Sequence, residues 1–143
     1  MAYIKTTHES DATGELAEWY RRVGNPDGTV DNVMKVHALN VDTLRTHFEL
    51  YAACMHKPSP LSRADREMVA VEVSRLNGCA YCLAHHSSGL AKLLPDQRRQ
   101  IANTLAGGDY GGLTDRELAM VTWAAKVTRT CTWNRNHRNL TQA

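Results

Sequence analysis

Two cysteines and two histidines lie close together near the middle of the sequence. Cys79 and Cys82 are three positions apart, and His85 and His86 follow the second cysteine by three and four positions. On a helix, residues three or four apart share a face. At about 100° per residue, Cys79, Cys82 and His86 fall within roughly 60° of arc. His85 points away from that stripe. Two thiols and an imidazole on one helical stripe are the components of a redox site.

The position of this motif in its helix bears on its reactivity. Asn77-Gly78 interrupts a long apolar segment, so we expect Cys79 in the opening turn of a new helix. The thiolate is the reactive form of cysteine, and a helix N-terminus or a nearby cation lowers the thiol pKa from about 8.5. Both influences are available here, the second from His86. The spacing also lets the two sulfurs form a local disulfide on oxidation.

Zinc binding is the main alternative for the same residues. Cys79, Cys82 and a histidine supply three ligands, whereas a structural zinc site needs four. Cys54 or Cys131 would have to complete the set, and the sequence has no second C-x-x-C. We therefore expect no bound metal. Cys54 lies on an amphipathic segment, where we expect it to be a buried, inert small hydrophobe.

Composition excludes several classes of protein. The chain has 143 residues and a net charge of +2, and residues 131–143 account for the excess because they carry Arg135 and Arg138 but no acid. No basic stripe indicates a nucleic-acid partner. The sequence has no run of 18 apolar residues and no apolar segment after Met1, so it shows neither a membrane span nor a secretory signal. We therefore expect a cytoplasmic protein, in which a C-x-x-C is typical of catalysis or metal binding rather than of structural stapling.

Almost every periodic segment predicts a helix. Asn40 is a candidate N-cap, and two pairs stand at capping-box spacing, Ser62 with Asp65 and Thr114 with Glu117. No segment alternates apolar and polar residues for long enough to be a strand. We predict an all-α bundle of about six or seven helices over residues 1–130, with the C-x-x-C at a helix N-terminus. Residues 131–143 are predicted to be a polar tail.

The motif and its surroundings resemble a known family. Residues 61–68 read Leu-Ser-Arg-Ala-Asp-Arg-Glu-Met, and residues 73–86 read Val-Ser-Arg-Leu-Asn-Gly-Cys-Ala-Tyr-Cys-Leu-Ala-His-His. These segments resemble the core of AhpD-type alkylhydroperoxidases, in the carboxymuconolactone decarboxylase superfamily. The stretch from Val33 to Pro60 is similar to the peroxidase-related subgroup. The resemblance covers roughly residues 15–130.

The resemblance implies a role for each residue of the motif. Cys82 would be the peroxidatic cysteine and Cys79 its resolving partner, whereas the helix-dipole argument alone favours Cys79 as the more acidic thiol. Glu67 and His86 would form a proton relay, although the pattern alone makes Glu67 a solvated carboxylate. Tyr81 stands where some members have a second histidine.

The resemblance also implies a function and partners. It implies an AhpD-like helical bundle that reduces alkyl hydroperoxides or hydrogen peroxide through a dithiol/disulfide cycle. The reductant would be a lipoyl-type or thioredoxin-like dithiol, with no metal, flavin or haem cofactor. Subgroup members continue past Thr130 with further helices, so we expect a truncated version here. We also expect a homo-oligomer, a trimer or hexamer, because a face with Leu118, Val121, Trp123 and Ala125 would otherwise lack a partner.

Two other functions remain open at this stage. The first is a lyase of the superfamily's lactone decarboxylase branch, although that chemistry needs no dithiol. The second is a non-catalytic oligomer that senses redox state or has a structural role.

Overall fold

Three helices of this chain begin at short polar side chains that cap them. In the computed structural model, which describes residues 4–130, the Asp65 amide donates to Ser62 Oγ at 3.1 Å and the Ser62 amide donates to Asp65 Oδ2 at 2.9 Å. The same reciprocal pair joins Thr114 and Glu117, at 2.8 and 3.3 Å. Asn40 caps its helix by accepting from the Thr43 amide at 3.2 Å. Each cap satisfies amide groups that a helix start leaves unpaired.

Every regular element of residues 4–130 is helical. The prediction of an all-α bundle with six or seven helices is thus confirmed. Short 3₁₀ turns lie at Glu9–Asp11 and Asp96–Arg98. The seven α-helices are α1 Gly14–Val23, α2 Asn32–Lys35, α3 Val41–Met55, α4 Arg63–Leu76, α5 Ala80–Leu93, α6 Ile101–Ala106 and α7 Asp115–Thr130.

The chain divides into two compact units, one ending at Lys57 and the other beginning at Pro58. The first unit contains α1, α2 and α3 around an aromatic core. Trp19 and Tyr20 are buried there, and Trp19 meets Phe48 edge to face with ring centroids 6.4 Å apart. Glu9 accepts hydrogen bonds from Lys35 Nζ at 2.6 Å and from the Val30 amide at 2.7 Å. These bonds, chiefly the one from Lys35, lower the pKa of Glu9 to about 2.

The second unit contains α4 to α7 and has an aliphatic core. Helix α4 packs against α5, α6 and α7. The residues buried at its centre are aliphatic or Met: Met68, Val71, Leu90, Leu94, Ile101, Ala102, Leu105 and Val121. The candidate site residues belong to this unit, so the packing of α4 on α5 positions them.

The assignment of residues 1–130 to one domain stays a prediction, and the polar tail 131–143 lies outside the described residues. Across residues 4–130, none of the helices combines the length and the apolar character that crossing a bilayer requires.

Candidate active site

The turn between α4 and α5 fixes the position of Cys79. Helix α4 ends in a Schellman motif, in which the Gly78 amide donates to the Arg75 carbonyl at 3.1 Å and the Cys79 amide donates to the Ser74 carbonyl at 3.0 Å. Gly78 has φ +65°, a left-handed conformation that glycine adopts without steric cost. Because α5 starts at Ala80, the residue that completes this motif is also the N-cap of the next helix.

Cys79 and Cys82 form a disulfide at the N-terminus of α5. Their Cα atoms are 5.4 Å apart, which lies within the usual range for disulfides. Cys79 Sγ also accepts from the Cys82 amide at 3.3 Å, as a capping side chain does. Both cysteines are half-buried. The dithiol pair therefore lies beside the unpaired amides of a helix start, the environment that favours thiolates in reduced C-x-x-C motifs.

His86 and Glu67 meet across the interface between α4 and α5. His86 Nδ1 lies 2.8 Å from Glu67 Oε2, and a carboxylate can only accept, so Nδ1 carries the hydrogen. Glu67 is buried, with 7% of its surface exposed, whereas the His86 side chain is 24% exposed. Fixing the hydrogen on Nδ1 leaves Nε2 as the ring atom that can take up or release a proton.

The burial of Glu67 corrects the pattern-based interpretation of a solvated carboxylate. The proposed relay residues, Glu67 and His86, are hydrogen-bonded to each other, and His86 follows Cys82 by one helical turn on the same helix. The structure thus gathers the four predicted site residues in one unit. Their chemical roles remain predictions.

Gly89 belongs to the site and was missed by the sequence analysis. It lies in the interior of α5, one turn after His86, where a glycine costs about 1 kcal/mol relative to alanine. A Cβ at this position would lie 3.3 Å from Glu67 Cδ, 3.3 Å from Oε2 and 3.4 Å from Oε1. The mid-helix glycine was the signal in the sequence, because an unfavourable residue in a helix interior calls for a packing reason.

His85 and Tyr81 lie on the outer side of α5. Both are exposed, and their rings are in contact, with centroids 4.4 Å apart and planes tilted by 39°. His85 therefore lies apart from the Glu67–His86 pair. Tyr81, which lies between the two cysteines, presents an aromatic surface at the rim of the site.

Cys54 contradicts the expectation of a buried small hydrophobe. It is exposed near the end of α3 and lies outside the Cys79–Cys82 disulfide. The apolar stripe of α3 is buried or half-buried throughout, and Cys54 lies off it, as does Leu50, which is 67% exposed. Within residues 4–130, no group of three or more His, Cys, Asp and Glu side chains is arranged to hold a metal ion.

A second buried carboxylate lies on α4, five positions after Glu67. Glu72 is fully buried and accepts two hydrogen bonds from Arg75, at 2.7 and 3.0 Å. The Tyr110 hydroxyl donates to Glu72 Oε1 at 2.9 Å, and Arg75 Nη2 donates to the Tyr110 oxygen at 3.3 Å. Burial, and then the Glu72 carboxylate, raise the pKa of Tyr110. These hydrogen bonds connect the loop before α7 to helix α4.

Fold and motif together define a class, a helical protein with a C-x-x-C disulfide at a helix N-terminus. The model of the carboxymuconolactone decarboxylase family matches residues 42–126, more than half of the sequence. The chain therefore belongs to the carboxymuconolactone decarboxylase family. The family resemblance drawn from the motif is confirmed.

The chain is also similar to two individual proteins. An uncharacterized peroxidase-related protein from Silicibacter sp. TM1040 has a solved structure with a TM-score of 0.74 and 30% identity, covering 95% of this chain and 74% of that one. YdfG, an uncharacterized protein of Bacillus subtilis strain 168, is 37% identical over 43 residues, which is 30% of this chain. The alignment spans 29% of YdfG, less than a third of its length.

Proposed function

We propose that this protein is a thiol-dependent peroxidase-type oxidoreductase that reduces hydroperoxides through Cys79 and Cys82. One observation carries the proposal: a C-x-x-C disulfide at a helix start, one turn before a histidine that is hydrogen-bonded to a buried glutamate. Membership of the carboxymuconolactone decarboxylase family and similarity to a peroxidase-related protein support it. The substrate class is an alkyl hydroperoxide or hydrogen peroxide.

The first chemical step consumes the peroxide. The Cys82 thiolate attacks the terminal oxygen of the hydroperoxide, so that an S–O bond forms and the O–O bond breaks. Cys82 becomes a sulfenic acid, and the leaving alkoxide takes a proton and departs as an alcohol, or as water from hydrogen peroxide. His86 Nε2 takes the proton of the Cys82 thiol and passes it to this alkoxide, while Glu67 holds the ring in place.

The second and third steps return the protein to the dithiol. The Cys79 thiol attacks the Cys82 sulfur, an S–S bond forms, and the hydroxyl group of the sulfenic acid leaves as water. A dithiol donor then reduces this disulfide by exchange and is itself oxidised. A lipoyl-type or thioredoxin-like donor fits, since two adjacent thiols resolve the mixed disulfide intramolecularly.

An assay of thiol consumption tests this function. With cumene hydroperoxide as oxidant and dihydrolipoamide as donor, the wild-type protein should accelerate loss of thiols, and Cys82→Ser should abolish that acceleration. Cys54→Ser is the matched control, because Cys54 lies outside the motif, and it should retain the wild-type rate. Equal rates in wild type and Cys82→Ser would contradict the proposal.

Peptide mapping adds a structural readout to the same experiment. After one equivalent of peroxide, Cys79 should be found paired with Cys82, and Cys54 should still react with a thiol reagent. Disulfide cycling without hydroperoxide turnover would instead favour the alternative of a redox-sensing protein.

We also propose a homo-oligomer. On α7, Val121 and Ala125 are buried within the second unit, contrary to the expectation that they lie on an uncovered face. Leu118 and Trp123 are exposed, Trp123 by 65%. A large aromatic side chain so exposed is typical of an interface. Light scattering should give a mass that is a multiple of 16.0 kDa. A monodisperse monomer would refute the oligomer but not the peroxidase activity.

A further inference from the structure

Gly89 lies outside the C-x-x-C motif but beside the Glu67 carboxylate, and its role rests on the proposed function. We infer that Gly89 is a positioning residue, whose missing side chain lets the Glu67 carboxylate lie against α5 and hold His86. Three atoms of that carboxyl group would lie 3.3 to 3.4 Å from a Cβ at position 89. His86, three positions earlier on the same helix, is bonded to the same carboxyl group at 2.8 Å.

The geometry explains why glycine stands at this position. Residues three apart on a helix lie one above the other on one face, so His86 and Gly89 together form the surface that meets Glu67. A Cβ at 3.3 Å is tighter than nine in ten real Cβ contacts, so the flexible carboxyl group would have to retreat by a few tenths of an ångström. One of the atoms it would push is Oε2, the atom that accepts from His86.

Gly89 occupies a place where ordinary helix energetics favour another residue. Alanine is the better helix former at an interior position, by about 1 kcal/mol. If Gly89 had no special role, the substitution Gly89→Ala would therefore raise the stability of the protein and leave its activity unchanged. The close approach of the carboxyl group predicts a different result, in which stability holds and the relay weakens.

The first test compares Gly89→Ala with Ser88→Ala in the hydroperoxide assay. Ser88 is the exposed neighbour on the same helix, and its substitution adds no atom next to Glu67. Because a 1 Å misplacement can cost roughly 100-fold in rate, a retreat of a few tenths of an ångström should cost about 3- to 10-fold. Gly89→Ala should show that loss with an unchanged or raised Tm, and Ser88→Ala should show neither. A wild-type rate in Gly89→Ala would overturn the proposal.

The second test asks whether Gly89 acts through Glu67. In a double-mutant cycle, adding Gly89→Ala to Glu67→Gln should cause no further loss of rate, because the group that Gly89 positions no longer serves the relay. Full additivity of the two losses would mean that Gly89 acts by another route and would overturn the proposal.

The third test does not depend on activity. The ¹⁵N resonances of the His86 ring, assigned with His86→Gln, report its tautomer and hydrogen bond. They should move in Gly89→Ala and stay in Ser88→Ala.

If the wild-type protein consumes no hydroperoxide, the proposed function fails, and these resonances alone decide on Gly89. If Gly89→Ala does not fold, Glu67→Ala in the same chain should restore folding, and failure to do so would overturn the proposal.

Discussion

Two buried carboxylates of α4 have opposite surroundings. Glu72, near the C-terminal end of the helix, is held by a guanidinium that stays charged and by the Tyr110 hydroxyl. Glu67, one and a half turns earlier, is held by the imidazole of His86. A guanidinium does not release protons near neutral pH, whereas an imidazole exchanges them readily. The same residue type on one helix thus fits a structural tie in one place and a proton relay in the other.

The surroundings of the two carboxylates differ in space as well as in charge. The Glu72 network closes on itself, because each of its three members bonds to the other two. The Glu67–His86 pair is open toward solvent through the half-buried His86 ring. Beside the pair, α5 carries a glycine, Gly89, which has no side chain. A proton can enter or leave such a pair, so we expect the partner and its exposure, rather than burial alone, to set the role of each acid.

The largest expected effect comes from Glu67→Gln. It keeps the volume of the side chain and removes the carboxylate, so hydroperoxide turnover should fall by about 10²- to 10⁴-fold, as for a lost general acid or base. Stopped-flow oxidation of the reduced protein measures this step directly. Far-UV circular dichroism should remain that of the wild type. A rate within twofold of wild type would remove the distinction between the two carboxylates.

The converse variant, Glu72→Gln, should act on stability. It leaves Arg75 without its charged partner, and breaking a buried pair costs about 3–5 kcal/mol. Arg75 is partly exposed, so we expect a loss of about 3 kcal/mol in the free energy of unfolding, with the rate per folded molecule unchanged. Urea denaturation measures the first quantity. If this variant were stable but inactive, Glu72 would belong to the relay.

A third carboxylate of α4 gives a pH-dependent effect. Hydrogen bonds from Arg116, at 2.8 and 3.0 Å, chiefly lower the pKa of Asp65 to about 2, against the opposing effect of burial. Its contribution is therefore present above pH 4 and is lost as the pH falls through about 2. Asp65→Asn should reduce the free energy of unfolding by about 2 kcal/mol at pH 6.

The shape of the pH profile is the check on Asp65. The difference in unfolding free energy between wild type and Asp65→Asn should narrow between pH 4 and pH 2. Other acids titrate in both proteins, so their effects cancel in this difference. Arg116→Gln should show the same narrowing. A difference that does not change with pH would contradict a stabilising role for the Asp65 charge.

The smallest effect is expected for Tyr110→Phe, which removes one neutral hydroxyl from the Glu72 network. The Glu72–Arg75 pair remains, so the cost should be about 1.5 kcal/mol, the lower end for a hydrogen bond to a charged group. Thermal unfolding of wild type, Tyr110→Phe and Glu72→Gln side by side measures this cost. A loss as large as that of Glu72→Gln would show that the network depends on the loop before α7 more than on the ion pair.

The sequence by itself determined the local features of this protein. Capping boxes at Ser62 and Thr114 set where α4 and α7 begin, because they satisfy amides within one turn of chain. Asn77-Gly78 ended α4 and brought Cys79 to the start of α5, and the three-residue spacing allowed the disulfide. These interactions join residues within about five positions, so the pattern of residue types is enough to predict them.

Only the tertiary structure decided which side chains are buried and what they meet. Glu67 joins His86 across 19 positions and Glu72 joins Tyr110 across 38, and no local pattern states which face of α4 another helix will cover. The exposure of Cys54 is a different case, because it follows from the position of this residue off the apolar stripe of α3. Burial and partner choice depend on long-range packing, because the hydrophobic driving force has no direction and is satisfied only by the assembled helices.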